Sequence, residues 1–340
     1  MVQTTLDSAH VQAVPARPRR VYRPLHGVLL LDKPIGLSSN DALQRVRRLL
    51  RAEKGGHTGT LDLLATGLLP LCFGAATKFA QASLDADKAY RATVALGTTM
   101  TTGDLEGEPV LRRPVPSLDR AAVQSACDAF LGEIDQVPPM HSALKHQGRA
   151  LYDYARAGQE VERSARRVRI DAIEVVGPAP EAECGGTPHR WVVDVRCSKG
   201  TYIRTLAEAI GERLGCGAHL AALRRTASGP LVLAHAVTLP ALEAMDEPAR
   251  EALLLPPEVL LADRPAVVLD GAEAARFLTG LRRRVTCADH PFVRVHGPEP
   301  GAFLGSAHVK AGELIADRLL SPEEVRGLLL QHAPRSPADR

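Results

Sequence analysis

The chain has 340 residues, 45% of them hydrophobic, and a formal net charge of +3. That length fits two domains and supplies enough apolar material for a buried core. No run approaches the ~18 apolar residues of a membrane crossing, the first residues carry no signal-peptide pattern, and the six cysteines contain no C-x-x-C spacing that would point to zinc.

Scattered cysteines without a secretory signal point to a reducing, cytoplasmic setting. Charge is unevenly spread. Residues 1–54 hold ten Lys/Arg against four Asp/Glu, whereas residues 231–340 hold twelve against fifteen. A basic front suits a polyanionic partner, and a solvated basic tail explains it equally well.

Residues 1–25 are rich in proline and arginine and lack periodicity, so they read as a mobile tail. "GVLLL" (27–31) reads as a short buried strand ending at the turn "DKPIG". Ser38 or Ser39 can cap a helix to about Leu50, with Ala42, Leu43, Val46, Leu49 and Leu50 at helical spacing. "GGHTGTLDLLATG" (55–67) follows as a loop, then a helix over about 75–84. "KAYRATVAL" alternates, with Tyr90, Ala92, Val94 and Leu96 on one face of a strand.

Residues 98–117 are turn-rich, and 118–131 form an amphipathic helix. "VPPMHSALKHQGRALYDYARAG" is a loop and a short helix. "RRVRIDAIEVV" and "HRWVVDVRC" are strands, and "SKGTYIRTLAEAIGERLG" turns through glycine into a helix that stops at Gly215. From about Asp263 short strands and Gly/Pro turns indicate a small β-rich domain, with 256–265 as a hinge. The mixed order of strands and helices indicates an α+β body rather than a doubly wound sheet.

Three stretches stand out chemically. In the first, Gly55, Gly56 and Gly59 let backbone approach a ligand, but no nucleotide-binding glycine motif is present. Asp62 lies among leucines, where a carboxylate needs a cation to stay ionised; it can also simply cap a turn. His57 suits either a ligand contact or a loop hydrogen bond. In the second, "CSKGTYIRT", Arg204 falls in the first helical turn, a poor place for a cation without an anionic partner. In the third, "GCGAHLAALRRTASGP", Arg224 and Arg225 suit phosphate contact or a plain helix end. Tyr90 suits core packing or base stacking.

Taken in order, "GVLLLDKPIGLSSNDALQRVRRLL", "GHTGTLDLLATGLLPLCFGAATKF", "DKAYRATVALG", "VPPMHSALKHQGRALYDYARAG", "CSKGTYIRTLAEAIGERLGCGAHLAALRR" and "GAFLGSAHVKAGELIADRLL" resemble the bacterial TruB family of tRNA pseudouridine synthases over about residues 26–330. The resemblance implies an α+β catalytic domain (26–254) with a mixed, largely antiparallel sheet flanked by helices. It also implies a small PUA-like β-barrel domain (263–330) that binds RNA near the acceptor end, and a short tail (331–340). It implies isomerisation of the T-loop uridine at tRNA position 55, without cofactor or metal. Nothing in the chain suggests an interface or a membrane segment, so a monomer with no obligate protein partner is expected.

By the same resemblance Asp62 is the nucleophile, acting at C1′ or on the C2′ proton. Tyr90 stacks on the base and is a candidate acceptor of the C5 proton, and Arg204 pairs with Asp62. Tyr202 and Leu223 line the uracil pocket, His57 fills the place of the flipped base, and Lys33 has a supporting role. Residues 263–330 hold nine Lys/Arg and nine Asp/Glu, so the small domain offers little general attraction for RNA beyond the Arg282–Arg284 cluster. Two other readings are a tRNA-folding factor that keeps this site, and a hydrolase using Asp62 and His57, for which no serine or cysteine nucleophile motif is present. One departure is visible: the family motif L-D-P-L-A-T-G has Leu63 here in place of proline.

Overall fold

The computed structural model describes residues 21–142, 144–180, 189–299 and 301–332. Most of the two expected tails, and Cys184, lie outside the described residues. Residues 21–25 are held to the body. Arg23 exchanges backbone bonds with Arg51 and Glu53, and Leu25 is buried.

A large mixed sheet dominates residues 27–238. Its strands run Val237–Thr238, Gly27–Lys33, Ala65–Phe73, Ala218–Ser228, Lys88–Leu96, Arg190–Cys197, Arg166–Pro178 and Gly132–Gln136 in spatial order. The pairings are antiparallel except for two. Val237–Thr238 runs parallel to Gly27–Lys33, and Ala218–Ser228 runs parallel to Ala65–Phe73. The second parallel joint lies mid-sheet and pairs Leu223 with Ala65 and Arg225 with Gly67.

Gly27–Lys33, Lys88–Leu96 and Arg190–Cys197 form where alternation or apolar runs place them. Trp191, Val193, Val195 and Cys197 share one core with Tyr90, Ala92, Val94 and Leu96. The other face of Lys88–Leu96 carries Arg91, which forks onto Asp194 directly opposite it at 2.8 and 2.7 Å. Helix Ser39–Leu50 starts at the cap Ser38, which accepts from the Asp41 amide, and it buries Ala42, Leu43, Val46 and Leu50. Helix Ile203–Arg213 ends before Gly215, whose φ is +79°.

Two strands differ from the sequence reading. "ATGLLPLCF", read as loop and undefined run, is the nearly fully buried strand Ala65–Phe73. A strand covered on both faces shows no alternation, so its period is silent. "AHLAALRRTAS", read as a helix end, is the central strand Ala218–Ser228. The helix expected over 75–84 is a 3-10 turn, Gly74–Phe79, followed by the short helix Ala80–Asp85.

A second sheet of five strands follows, in the order Ala266–Val268, His290–His296, Phe303–Lys310, Glu313–Leu319, Arg283–Arg284, around a core that includes Phe277, Val295 and Ala307. The expected hinge at 256–265 is a packed joint. Its turn Pro257–Leu261 buries Leu260 and Leu261 against Val28, Leu30 and Leu68 on one side and Phe303, Leu320 and Leu328 on the other. Burying apolar surface there holds the second sheet against the first instead of letting it swing.

Candidate active site

The loop 58–64 emerges at the mid-sheet parallel joint, and backbone packing fixes it there. Buried Ser39 clasps Leu61 twice: its hydroxyl accepts from the Leu61 amide at 2.8 Å and donates to the Leu61 carbonyl at 3.1 Å. The residue before Asp62 is thereby tied to the start of helix Ser39–Leu50. On the other side the Ala65 amide donates to the Asp62 carbonyl at 3.1 Å.

Gly67 makes the joint possible. Its φ is +96°, and a Cβ there would fall 2.3 Å from the Arg225 carbonyl oxygen. The glycines that matter are therefore 59 and 67, both at positive φ, more than 56, whose Cβ would meet nothing.

Asp62 points to the Arg204 guanidinium, with 3.1 Å between Oδ2 and the nearest nitrogen. Its side chain stays 43% exposed at the edge of the pocket, whereas that of Arg204 is 6% exposed. Burial raises the Asp62 carboxyl above its ordinary value. Arg204 is the strongest opposing influence, Asp104 adds to the rise, and Lys33 opposes it.

Arg204 in turn donates to the His141 carbonyl at 2.6 Å and the Thr102 carbonyl at 3.0 Å, and it pairs with buried Asp104 at 3.5 Å. A cation in the first turn of helix Ile203–Arg213 faces the positive end of the helix dipole. Two carboxylates and two carbonyls outweigh that. Asp104 is itself fixed by the Thr102 hydroxyl at 2.6 Å and the Glu106 amide at 3.0 Å.

Asp62 and Arg204 open onto a pocket of about 400 Å³. Tyr90, Tyr202, Leu223 and Arg225 line it too, with Gly59–Leu61 on one side and Ser198–Thr201 on the other. Five of the seven residues given roles by the family resemblance thus meet at one cavity: Asp62, Tyr90, Arg204, Tyr202 and Leu223. Burial raises the phenols of Tyr90 and Tyr202, which keeps both neutral near pH 7. The Tyr202 backbone is held by the Gln136 side-chain amide, which accepts from its N–H at 3.0 Å and donates to its carbonyl at 3.3 Å.

The other two sit behind the pocket. Lys33 is fully buried and donates to the carbonyls of Pro34 and Leu37 at 2.9 and 2.7 Å. Burial lowers its ammonium to about 8, and the Asp62 charge partly counters this. His57 lies in the short strand Gly55–His57, paired with Leu71 rather than on a loop tip. Burial, reinforced by the charge of Arg225, lowers its imidazole, so the ring is neutral near pH 7; among the described residues its buried Nδ1 has no partner.

The phosphate reading fails for Arg225 by burial, while Arg224 keeps a side chain open to solvent. Arg224 forks onto Asp32 at 3.0 and 2.6 Å, and Arg225 is only 1% exposed. Sequence reasoning also passed over Asp104, inside the turn-rich "TTGDLEG", and Lys88, whose buried ammonium donates to the Ser83, Leu84 and Ala86 carbonyls. Neither is marked by spacing or composition; each becomes visible only when distant segments meet.

A larger cleft, about 680 Å³, lies between helix Ala80–Asp85 and the second sheet. Lys78 there is matched by Glu324 and Arg264 by Asp263, so it lacks the concentrated chemistry of the smaller pocket. Among the described residues no group of three His, Cys, Asp or Glu is placed to hold a metal, and no helix is long and apolar enough to cross a membrane.

Comparison with known proteins gives a consistent result. Residues 47–203 match the model of the TruB family pseudouridylate synthase N-terminal domain, and residues 204–262 match that of the tRNA pseudouridylate synthase B C-terminal domain. The chain is 58% identical over 311 residues to the tRNA pseudouridine synthase B of Cupriavidus pinatubonensis, covering 89% of this chain and 96% of that one. It is 54% identical over 315 residues to that of Burkholderia mallei, covering 90% and 98%. Among solved structures, a Cbf5–Nop10–Gar1 complex contains a chain of like fold, with a TM-score of 0.67 at 23% identity over 92% of this chain and 94% of that one. By the extent of both family matches and the identity to these relatives, the chain belongs to the TruB family of pseudouridylate synthases.

Proposed function

We propose that this chain isomerises the T-loop uridine at position 55 of tRNA to pseudouridine, with Asp62 as the reacting group. The observation that carries this reading is the Asp62–Arg204 pair at the edge of an enclosed pocket walled by Tyr90, Tyr202 and Leu223. Binding RNA alone does not require a half-exposed carboxylate held beside a buried cation. A tRNA-folding role on its own is therefore the weaker account.

The isomerisation breaks the C1′–N1 bond, turns the base and forms a C1′–C5 bond. The proton at C5 leaves, and N1 ends protonated, so no net atom is gained or lost. Asp62 must be ionised to act on the ribose, either at C1′ or on the C2′ proton. Arg204 supports that form against the burial that opposes it. The pocket volume falls in the range usual for small-ligand sites.

Tyr90 supplies a flat wall for the flipped uracil and a hydroxyl near C5, with Leu223 and Tyr202 as the neighbouring walls. Flipping the base out of the loop costs a few kcal/mol. The neutral imidazole of His57 is suited to stack in the vacancy without bringing charge into a base stack. Buried Lys33 supports the floor behind Asp62.

The catalytic unit comprises residues 26–254. Residues 263–330 act as a PUA-like unit that contacts tRNA toward its acceptor end through Arg282–Arg284. The protein works as a cytoplasmic monomer, without metal, cofactor or obligate protein partner.

The test is Asp62→Asn with a tRNA transcript tritiated at uracil C5. We expect no tritium release from the T-loop uridine, with tRNA affinity within about threefold of wild type. Wild-type release by the variant would sink the reading.

A further inference from the structure

Arg225 is the anomaly of this molecule. It heads the buried side chains by size, at 1% exposure, and among the described residues no carboxylate lies within ion-pair distance of it. A buried cation without a counter-charge is costly, and such groups are usually paired. Here its donors go to neutral oxygens. Nε donates to the Leu68 carbonyl at 2.7 Å, and one terminal nitrogen donates to the Gly59 carbonyl at 3.2 Å. Tyr90 stands directly opposite Arg225 on the neighbouring strand, close enough for the guanidinium charge to act on its phenol.

Those three residues belong to three different segments. Leu68 is in strand Ala65–Phe73, Gly59 is in the loop leading to Asp62, and Tyr90 is in strand Lys88–Leu96. Arg225 lies in the strand between the two, paired with Gly67 on one side and Tyr90 on the other. Gly59 is bare because Arg225 fills the space; a Cβ there would stand 3.2 Å from its terminal nitrogen. Leu61 and Tyr90 also pack in one apolar cluster, so Arg225 adds a directional polar tie to a contact that is otherwise only apolar.

We propose that Arg225 is a positioning residue. Its planar fork ties the Gly59 carbonyl to the Leu68 carbonyl while Tyr90 stands opposite it on the neighbouring strand, and so fixes the Asp62 loop relative to the ring that holds the base. The inference rests on the reading of Asp62 and Tyr90 given above. A guanidinium is required because two carbonyls in fixed directions must be met at once with the charge held beside the Tyr90 ring, which an ammonium on a flexible stem does poorly. Its uncompensated charge also tunes its surroundings. It adds to the lowering that burial imposes on the His57 imidazole and the Lys33 and Lys88 ammoniums, and it opposes the burial-driven rise of the Tyr90 phenol.

The test uses Arg225→Lys, Tyr90→Phe and the double variant in the full chain, with tritium release followed in single turnover at saturating enzyme. Arg225→Lys is expected to slow release at least about tenfold, with tRNA affinity within about threefold of wild type. Added to Tyr90→Phe, the same change is expected to cost less than about threefold, because the hydroxyl its charge acts on is already gone. A wild-type rate for Arg225→Lys, a full repeat of its loss in the Tyr90→Phe background, or a fall in affinity that matches the fall in rate would each overturn the proposal.

A second readout is independent of turnover. In protein labelled with 3-fluorotyrosine, the Tyr90 fluorine signal, assigned by its loss in Tyr90→Phe, is expected to move in Arg225→Lys while those of Tyr152 and Tyr154 stay. An unmoved Tyr90 signal would refute the coupling. Failure of the functional reading would show instead as an active Asp62→Asn, which neither Arg225 result can mimic.

Discussion

Replacing Arg204 by methionine tests how the site is held together. Methionine keeps much of the stem and removes every donor. The Thr102 and His141 carbonyls lose bonds of 3.0 and 2.6 Å, Asp62 loses its partner at 3.1 Å, and Asp104 loses its cation at 3.5 Å. Asp62 can turn to solvent, but Asp104 cannot: its side chain is 3% exposed, and only the Thr102 hydroxyl and the Glu106 amide remain.

Stranding one member of a buried pair costs about 3–5 kcal/mol. With 340 residues at ~2.1 cal/mol/K each, the melting temperature moves by about 1.4 °C per kcal/mol and falls by about 4–7 °C. The pH profile moves as well. The reacting form of Asp62 is the carboxylate, so rate rises with pH through its pKa. Burial already raises that pKa, and Arg204 is the main influence holding it down. Arg204→Met therefore shifts the acid limb of tritium release to higher pH. Adding Asp104→Asn removes the stranded charge and is expected to recover part of the lost stability but none of the rate. Thermal melts and pH–rate profiles of wild type and the two variants decide the matter. A single variant melting within about 2 °C of wild type, or a double variant less stable than the single, would refute the hub.

Two further predictions concern the loop. Gly67→Ala forces a side chain into left-handed backbone and against the Arg225 carbonyl, at a cost on the order of 2–4 kcal/mol. Gly56→Ala, with open space around it, should stay within about 0.5 kcal/mol; equal denaturation midpoints for the pair would contradict this account. Leu63→Pro restores the family proline. The Leu63 amide donates no bond among the described residues, its carbonyl still accepts from the Gly36 amide, and its side chain is largely exposed. We expect unchanged tritium release and a gain of about 0.4–1 kcal/mol. A joint loss of activity and stability would show that Asp62 adopts a backbone conformation proline forbids.

The amphipathic and alternating segments were legible from the chain alone. Helix Ser39–Leu50, strand Lys88–Leu96 and helix Ile203–Arg213 carry their periods, caps and stops within about a dozen residues, because local sterics and one-sided burial leave a local mark. Ala65–Phe73 and Ala218–Ser228 were not legible. Both lie mid-sheet; burial on two faces erases the alternation of the first, and the second has bulges, an exposed Ala222 and two arginines in "LRRT". Local chemistry drew attention to Asp62, Tyr90 and Arg204 with alternatives open; the family resemblance gave them roles and added Tyr202 and Leu223, and the fold brings these five to one pocket.

Sequence by itself determined the family, the mixed α+β composition and the one loop that carries a carboxylate among glycines. Tertiary structure decided what that carboxylate faces. Asp104 and Arg225 lie 42 and 163 positions after Asp62, and no local rule links them to it. Only the parallel joint between Ala65–Phe73 and Ala218–Ser228, with Gly67 letting the backbones close, puts a buried arginine under the loop. Only the packing of helix Ile203–Arg213 beside the 102–104 turn gives Arg204 its second carboxylate. Charge at such a site depends on distance and burial, and both are set by contacts between segments far apart in the chain.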